Sequence, residues 1–120
     1  DQTAVFLCCK EFFKAIRKVN PEQASVVLVG STAAVFGAEG HSDYAAAKAA
    51  VTYGFTRTLK NEIVRIVPEG RVNSVCPGWT KTPMAAPGTT DESITKFMQT
   101  RSLKRIARPE EIAQTILFLA

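Results

Sequence analysis

The chain has 120 residues, a formal net charge of +4, 46% hydrophobic and 22% charged residues. This is the composition of a folded globular chain, and it excludes collagen-like and intrinsically disordered ones. The length fits about one domain, with roughly two-thirds of the unfolded surface buried on folding.

Val5, Phe6, Cys9, Phe12, Phe13 and Ile16 recur at three- and four-residue steps, which predicts a helix over 4–18, stopped by Asn20-Pro21. The β-branched run Val26 to Val29 lacks polar alternation and ends at Gly30, as a strand buried on both faces does. A loop is expected up to Ser42, which is placed to cap the next helix. That helix is expected over 43–66, rich in alanine at its start and ended by Pro68 and Gly70. Arg71 to Cys76 reads as a second strand, cut off by Pro77-Gly78. The stretch 79–93, rich in Thr, Pro and Gly, reads as a loop, and 92–100 as a short helix. Pro109 opens a last helix whose first turn carries Glu110 and Glu111, where they complement the helix dipole.

Strand, long helix, strand implies a parallel pair joined by a right-handed crossover. The fold class is therefore α/β: a partial, doubly wound parallel sheet of Rossmann-like type, two strands with flanking helices. Two strands cannot cover so many amphipathic helices, and the last helix stops at Leu119-Ala120 within an apolar run. The expectation is part of a larger domain, incomplete at both ends.

No apolar stretch is long enough to cross a bilayer, and no secretory leader is visible, so no membrane partner is expected. Cys8, Cys9 and Cys76 have no Cys-x-x-Cys spacing and read as free thiols in a reducing compartment, the cytoplasm. The single histidine, His41, has no ligand-rich surroundings, which argues against a metal site. Lys10, Lys14, Arg17 and Lys18 read as a solvated helix face. No interleaved aromatics offer the stacking platform of a nucleic-acid binder.

Tyr44 and Lys48 are four residues apart on the long helix and share one face. An ammonium beside a phenol favours the phenolate, and such a tyrosine can exchange a proton with a carbonyl or alcohol oxygen. Taken alone, the pair reads better as a surface tyrosine packed on a lysine stem. Ser31 directly follows the first strand, at the carboxyl end where open α/β sheets bind ligands. Pro77-Gly78 occupies the same end of the second strand. Separately, Ser31 reads as a capping serine and Pro77-Gly78 as a strand stop; in this order they converge on one site.

Val26-Val27-Leu28-Val29-Gly30-Ser31, Tyr44-Ala45-Ala46-Ala47-Lys48 and the run Arg71 to Met84 (RVNSVCPGWTKTPM) together resemble the classical short-chain dehydrogenase/reductases. Arg108-Pro109-Glu110-Glu111-Ile112-Ala113 is similar to a helix opening of that family. The resemblance covers the whole chain and corresponds to the C-terminal portion of a single such domain, without its glycine-rich N-terminal half or last strand. It implies an oxidoreductase moving a hydride between NAD or NADP and a small carbonyl or alcohol substrate. Tyr44 would be the general acid/base, Lys48 its activator and a ligand of the nicotinamide ribose, and Ser31 the group that polarises the substrate oxygen. Pro77, Gly78, Thr80 and Thr82 would close over the nicotinamide. Asp1 stands where many members have an Asn that holds a relay water, and Gly30 where a serine is common. The resemblance also implies a homodimer or homotetramer through helices 4–18 and 43–66.

Two other classes share parts of this pattern. One is a non-catalytic nucleotide-binding relative, which cofactor binding without turnover would reveal. The other is an extended-type sugar-nucleotide epimerase or dehydratase, which shares Tyr-x-x-x-Lys but is disfavoured by Pro77 to Met84.

Overall fold

A computed structural model of the chain describes residues 2–83, 85, 90–99 and 101–120, apart from the side chains of Asp91, Ser93 and Phe97. Asp1 and Met84, both singled out from the sequence, lie outside the described residues.

Strands β1 (Gln23–Val29) and β2 (Glu69–Val75) pair in parallel, from Gln23 opposite Glu69 to Val29 opposite Val75. β1 starts three residues before the expected apolar run because its polar residues have their own partners. Gln23 Nε2 donates to Glu69 Oε2 at 2.9 Å, and Ser25 Oγ donates to the Leu119 carbonyl at 3.2 Å. A hydropathy pattern does not register such pairs.

Helix α1 (Gln2–Val19) precedes β1. Its amide ladder closes with Asn20 N–H on the Ile16 carbonyl at 2.8 Å, and Asn20 turns to φ 49°. A short helix, α2 (Thr32–Phe36), lies where a loop is expected. Ser31 caps it, and Gly37 ends it at φ 78°, a conformation that favours glycine.

The long helix expected over 43–66 is three segments. These are α3 (Ser42–Ala49), a π-helical stretch (Ala50–Phe55) and α4 (Thr56–Ile63). Thr56 Oγ1 donates to the Val51 carbonyl, five residues back, at 2.7 Å, and Thr58 Oγ1 donates to the Gly54 carbonyl at 2.9 Å. The Thr56 N–H bonds the same Val51 carbonyl, the five-residue step of a π turn. Ser42 is not the cap expected of it: His41 holds that position without a side-chain bond, and Ser42 is the first helical residue.

The remaining helices are α5 (Asp91–Gln99) and α6 (Pro109–Leu119). The core gathers Cys9 and Ile16 of α1, Val51, Leu59, Ile63 and Val67 of the crossover, and Leu28 and Val72 of the strands. Ile63 and Val67 have no exposed surface. Burial, with Cys8 adjacent, pushes the Cys9 thiol up, so Cys9 is a neutral packing residue. The end of α6 lies across both strands: Arg71 donates to the Leu119 and Ala120 carbonyls at 3.4 and 2.7 Å. The crossover thus carries α3 to the carboxyl ends of β1 and β2.

Candidate active site

Pairing between the strands continues past their ends. The Gly30 N–H donates to the Val75 carbonyl at 2.8 Å, and the Thr32 N–H to the Pro77 carbonyl at 3.0 Å. Ser31 sits between these two bonds, so its position relative to Pro77 is fixed by backbone. It is extended (φ −163°, ψ 151°) and buried, 8% exposed. Its Oγ accepts from Ala33 N–H at 3.1 Å, the capping bond of α2. That bond uses an oxygen lone pair and leaves the hydroxyl proton to donate.

Tyr44 and Lys48 face the same side of α3, with Lys48 Nζ 5.8 Å from the Tyr44 ring centroid. Lys48 also reaches across to β1, where Nζ donates to the Val29 carbonyl at 2.9 Å. The ammonium is therefore held at the strand ends, beside the phenol. Tyr44 is 38% exposed, open to an incoming molecule. Among the described residues no hydrogen bond joins Ser31 to Tyr44; both reach the strand-end region from separate elements.

The segment after β2 is anchored from a distance. Thr80 forms a parallel bridge with Ala107. Lys81 N–H donates to the Ala107 carbonyl at 2.9 Å, and Ala107 N–H to the Trp79 carbonyl at 3.1 Å. Thr80 Oγ1 turns back onto the Gly78 carbonyl at 3.1 Å, and the Thr82 carbonyl accepts from Ala85 N–H at 3.0 Å. Ala107 is itself bracketed by an ion-pair cluster. Arg105 forks onto Glu111 at 2.7 and 2.6 Å, and the Arg108 N–H donates to Glu111 Oε2 at 2.8 Å. The guanidinium of Arg105 and the Arg108 amide hold the Glu111 carboxyl down at about 2.

Sequence reasoning missed Ala107, which acts through backbone atoms and leaves no side-chain signal. It also missed Thr52, although the four-residue series Tyr44, Lys48, Thr52 marks one helix face. Among the described residues no group of three or more His, Cys, Asp or Glu is placed to hold a metal ion, and no helix is long and apolar enough to cross a membrane.

A buried serine, a tyrosine–lysine pair and a Pro-Gly segment thus gather at the carboxyl ends of two parallel strands of an α/β fold. The chain belongs to the short-chain dehydrogenase/reductase family, matching over residues 1–120 the family profile described as enoyl-(acyl carrier protein) reductase. It is 38% identical over 119 residues to a 3-oxoacyl-[acyl-carrier-protein] reductase of Synechocystis sp., a match covering 98% of this chain and 44% of that protein. It is 34% identical over 121 residues to a cis-4-hydroxycyclohexanecarboxylate dehydrogenase of Sinomonas cyclohexanicum, covering 100% of this chain and 46% of that one. Among solved structures, a variant of actinorhodin polyketide ketoreductase with NADPH superposes with a TM-score of 0.83 at 31% identity, over 98% of this chain and 48% of that one. The chain thus spans a little under half the length of these relatives.

Proposed function

We propose that the intact protein is an NAD(P)-dependent ketoreductase acting on a 3-oxoacyl thioester, with Ser31, Tyr44 and Lys48 as its catalytic residues. The observation that carries this reading is the Lys48 ammonium, held at 2.9 Å by the Val29 carbonyl and one helical turn from Tyr44, at the strand end that also presents Ser31. The thioester follows from the acyl-carrier-protein and polyketide reductases that the chain is similar to.

The donors present fit a nicotinamide nucleoside. Lys48 spends one of three N–H bonds on Val29, which leaves two for ribose hydroxyls. Pro77, Gly78, Thr80 and Thr82 offer backbone groups and hydroxyls suited to the carboxamide. The bound cofactor supplies the hydride. In the reductive direction the Ser31 hydroxyl donates a hydrogen bond to the substrate carbonyl oxygen, which polarises it. Tyr44 gives its proton to that oxygen as the carbonyl π bond breaks and the new C–H bond forms. The Lys48 ammonium stabilises the tyrosinate left behind, which then takes a proton from water. Oxidation of an alcohol runs through the same groups in reverse.

In this reading residues 1–120 are the C-terminal, catalytic portion of one dinucleotide-binding domain. Exposed Phe6, Leu7 and Tyr53, on α1 and the crossover, support a homodimer or homotetramer through those helices. The free cysteines suit the cytoplasm.

The test is the initial rate of NADH or NADPH oxidation by the intact protein with a 3-oxoacyl thioester. Consumption matched by 3-hydroxyacyl product is expected. Tight cofactor binding with no consumption, for thioesters and simple ketones alike, would mean a nucleotide-binding protein without this chemistry.

A further inference from the structure

Helix α3 and the π-helical stretch dock on the end of β1 through a stripe spaced by four residues. Tyr44 and Lys48 belong to the site described above, and Lys48 is bonded to Val29. The next member, Thr52, meets Gly30, the residue just after the strand. A Cβ on Gly30 would overlap Thr52 Oγ1 and come within 3.0 Å of Cys76 Sγ. Thr52 Oγ1 and Cys76 Sγ are 3.6 Å apart, within hydrogen-bond reach for sulfur. The Thr52 hydroxyl is therefore wedged between the two strand ends, one residue before Ser31 on one side and one residue before Pro77 on the other. Gly30 is needed here for close approach and not for its backbone freedom. The absence of a Cβ is what lets the helix bearing Tyr44 come down onto the strand bearing Ser31.

We propose that Thr52 is a positioning residue: by filling the space above Gly30 and bonding Cys76, it locks the backbone-paired ends that carry Ser31 and Pro77 to the Tyr44–Lys48 helix, and so sets the distance between Ser31 and Tyr44. This rests on the catalytic roles given above to Ser31, Tyr44 and Lys48. Thr52 touches no reacting atom in this arrangement; it acts through Gly30 and Cys76. Misplacement of a catalytic group by about 1 Å costs on the order of a hundredfold in rate. The effect belongs in kcat, because the spacing that Thr52 sets is the one between Ser31 and Tyr44, the two groups that share the substrate oxygen.

The experiment is a set of variants of the intact protein assayed for kcat, cofactor KM and thermal midpoint, with Tyr44→Phe as the reference. Thr52→Val keeps the shape and removes the hydroxyl, and Thr52→Ser keeps the hydroxyl. The expected result is a kcat about tenfold or more below the parent for Thr52→Val, with cofactor KM within about twofold, and most of the rate restored in Thr52→Ser. Gly30→Ala is expected to lose more, and Gly30→Ala with Thr52→Gly to recover at least half of that loss on a logarithmic scale. If Tyr44→Phe is inactive while Thr52→Val retains the parental kcat, Thr52 has no positioning role and the functional reading stands. If Gly30→Ala and Thr52→Gly simply add, the steric coupling is refuted. An active Tyr44→Phe removes the functional reading, and this proposal with it.

Discussion

Lys48 Nζ donates a 2.9 Å hydrogen bond to the carbonyl of Val29, the last residue of β1. A lysine side chain gives up as much as about 2 kcal/mol of rotamer freedom when it is fixed. Here that cost falls on folding, and the ammonium is already beside Tyr44 when substrate arrives. Lys48→Met should therefore reduce kcat and weaken cofactor binding together, since both uses of the ammonium are lost. Stability should fall by only about 1 kcal/mol, the net worth of one hydrogen bond. Steady-state kinetics with a calorimetric cofactor titration separates the two effects. Unchanged cofactor affinity would remove Lys48 from the ribose site.

Ser31 has two jobs, and they can be told apart. Its Oγ caps α2 through Ala33 N–H, worth about 1 kcal/mol. Its proton is left for the substrate oxygen, where one lost donor costs on the order of a hundredfold in rate. Ser31→Ala should lose both. Ser31→Thr keeps an oxygen for the cap and should restore the melting temperature. A Ser31→Ala variant with parental kcat would leave only the capping role.

Glu111 ties stability to pH. Arg105 and the Arg108 amide hold its carboxyl at about 2 against an ordinary value of 4.5. A carboxyl whose folded value is depressed stabilises the folded state fully above the unfolded value, and that contribution is lost as pH falls towards the folded one. Wild type should melt above Glu111→Gln at neutral pH, and the two curves should converge between pH 4.5 and about 2. Ala107 lies between Arg105 and Arg108 and holds Thr80 and Lys81, so Glu111→Gln should also raise the cofactor KM at pH 7. Parallel melting curves down to pH 2 would rule out the linkage.

The α1 face offers a test of assembly. Phe6 is 51% exposed, with its ring centroid 5.5 Å from that of Phe55. Such an apolar surface on α1 and the crossover fits burial by a second copy. Light scattering of the intact protein at micromolar concentration should give a dimer or tetramer, and Phe6→Glu should lower the mass. A monomer in the parent would contradict the assembly.

The strands and the outer helices were readable because their cause is local. The β-branched run before Gly30 and the apolar periodicity of α1 each report a face that must be buried. The parallel pairing followed from the length of the crossover between β1 and β2. The π-helical stretch was not readable, because the hydrophobic spacing of 43–63 suits an α-helix equally well; the difference lies in which carbonyl a backbone N–H reaches, as Thr56 reaches Val51. Helix α2, with five residues, is shorter than any periodic signal. At the site, Ser31, Tyr44, Lys48 and Pro77 could be named from their types and order. The Val29 carbonyl, Ala107 and the fit of Thr52 over Gly30 depend on where backbones meet in space.

The most direct measurement is the turnover of Tyr44→Phe. The change removes one oxygen from a residue that is 38% exposed, so the fold should be untouched. It also removes the one proton that the mechanism transfers to the substrate oxygen. With NADPH or NADH and a 3-oxoacyl thioester, kcat should fall by at least about a hundredfold, with cofactor affinity within about twofold of the parent. A kcat within about threefold of the parent, in a variant with the parental melting temperature, would contradict Tyr44 as the general acid and the reductase reading built on it.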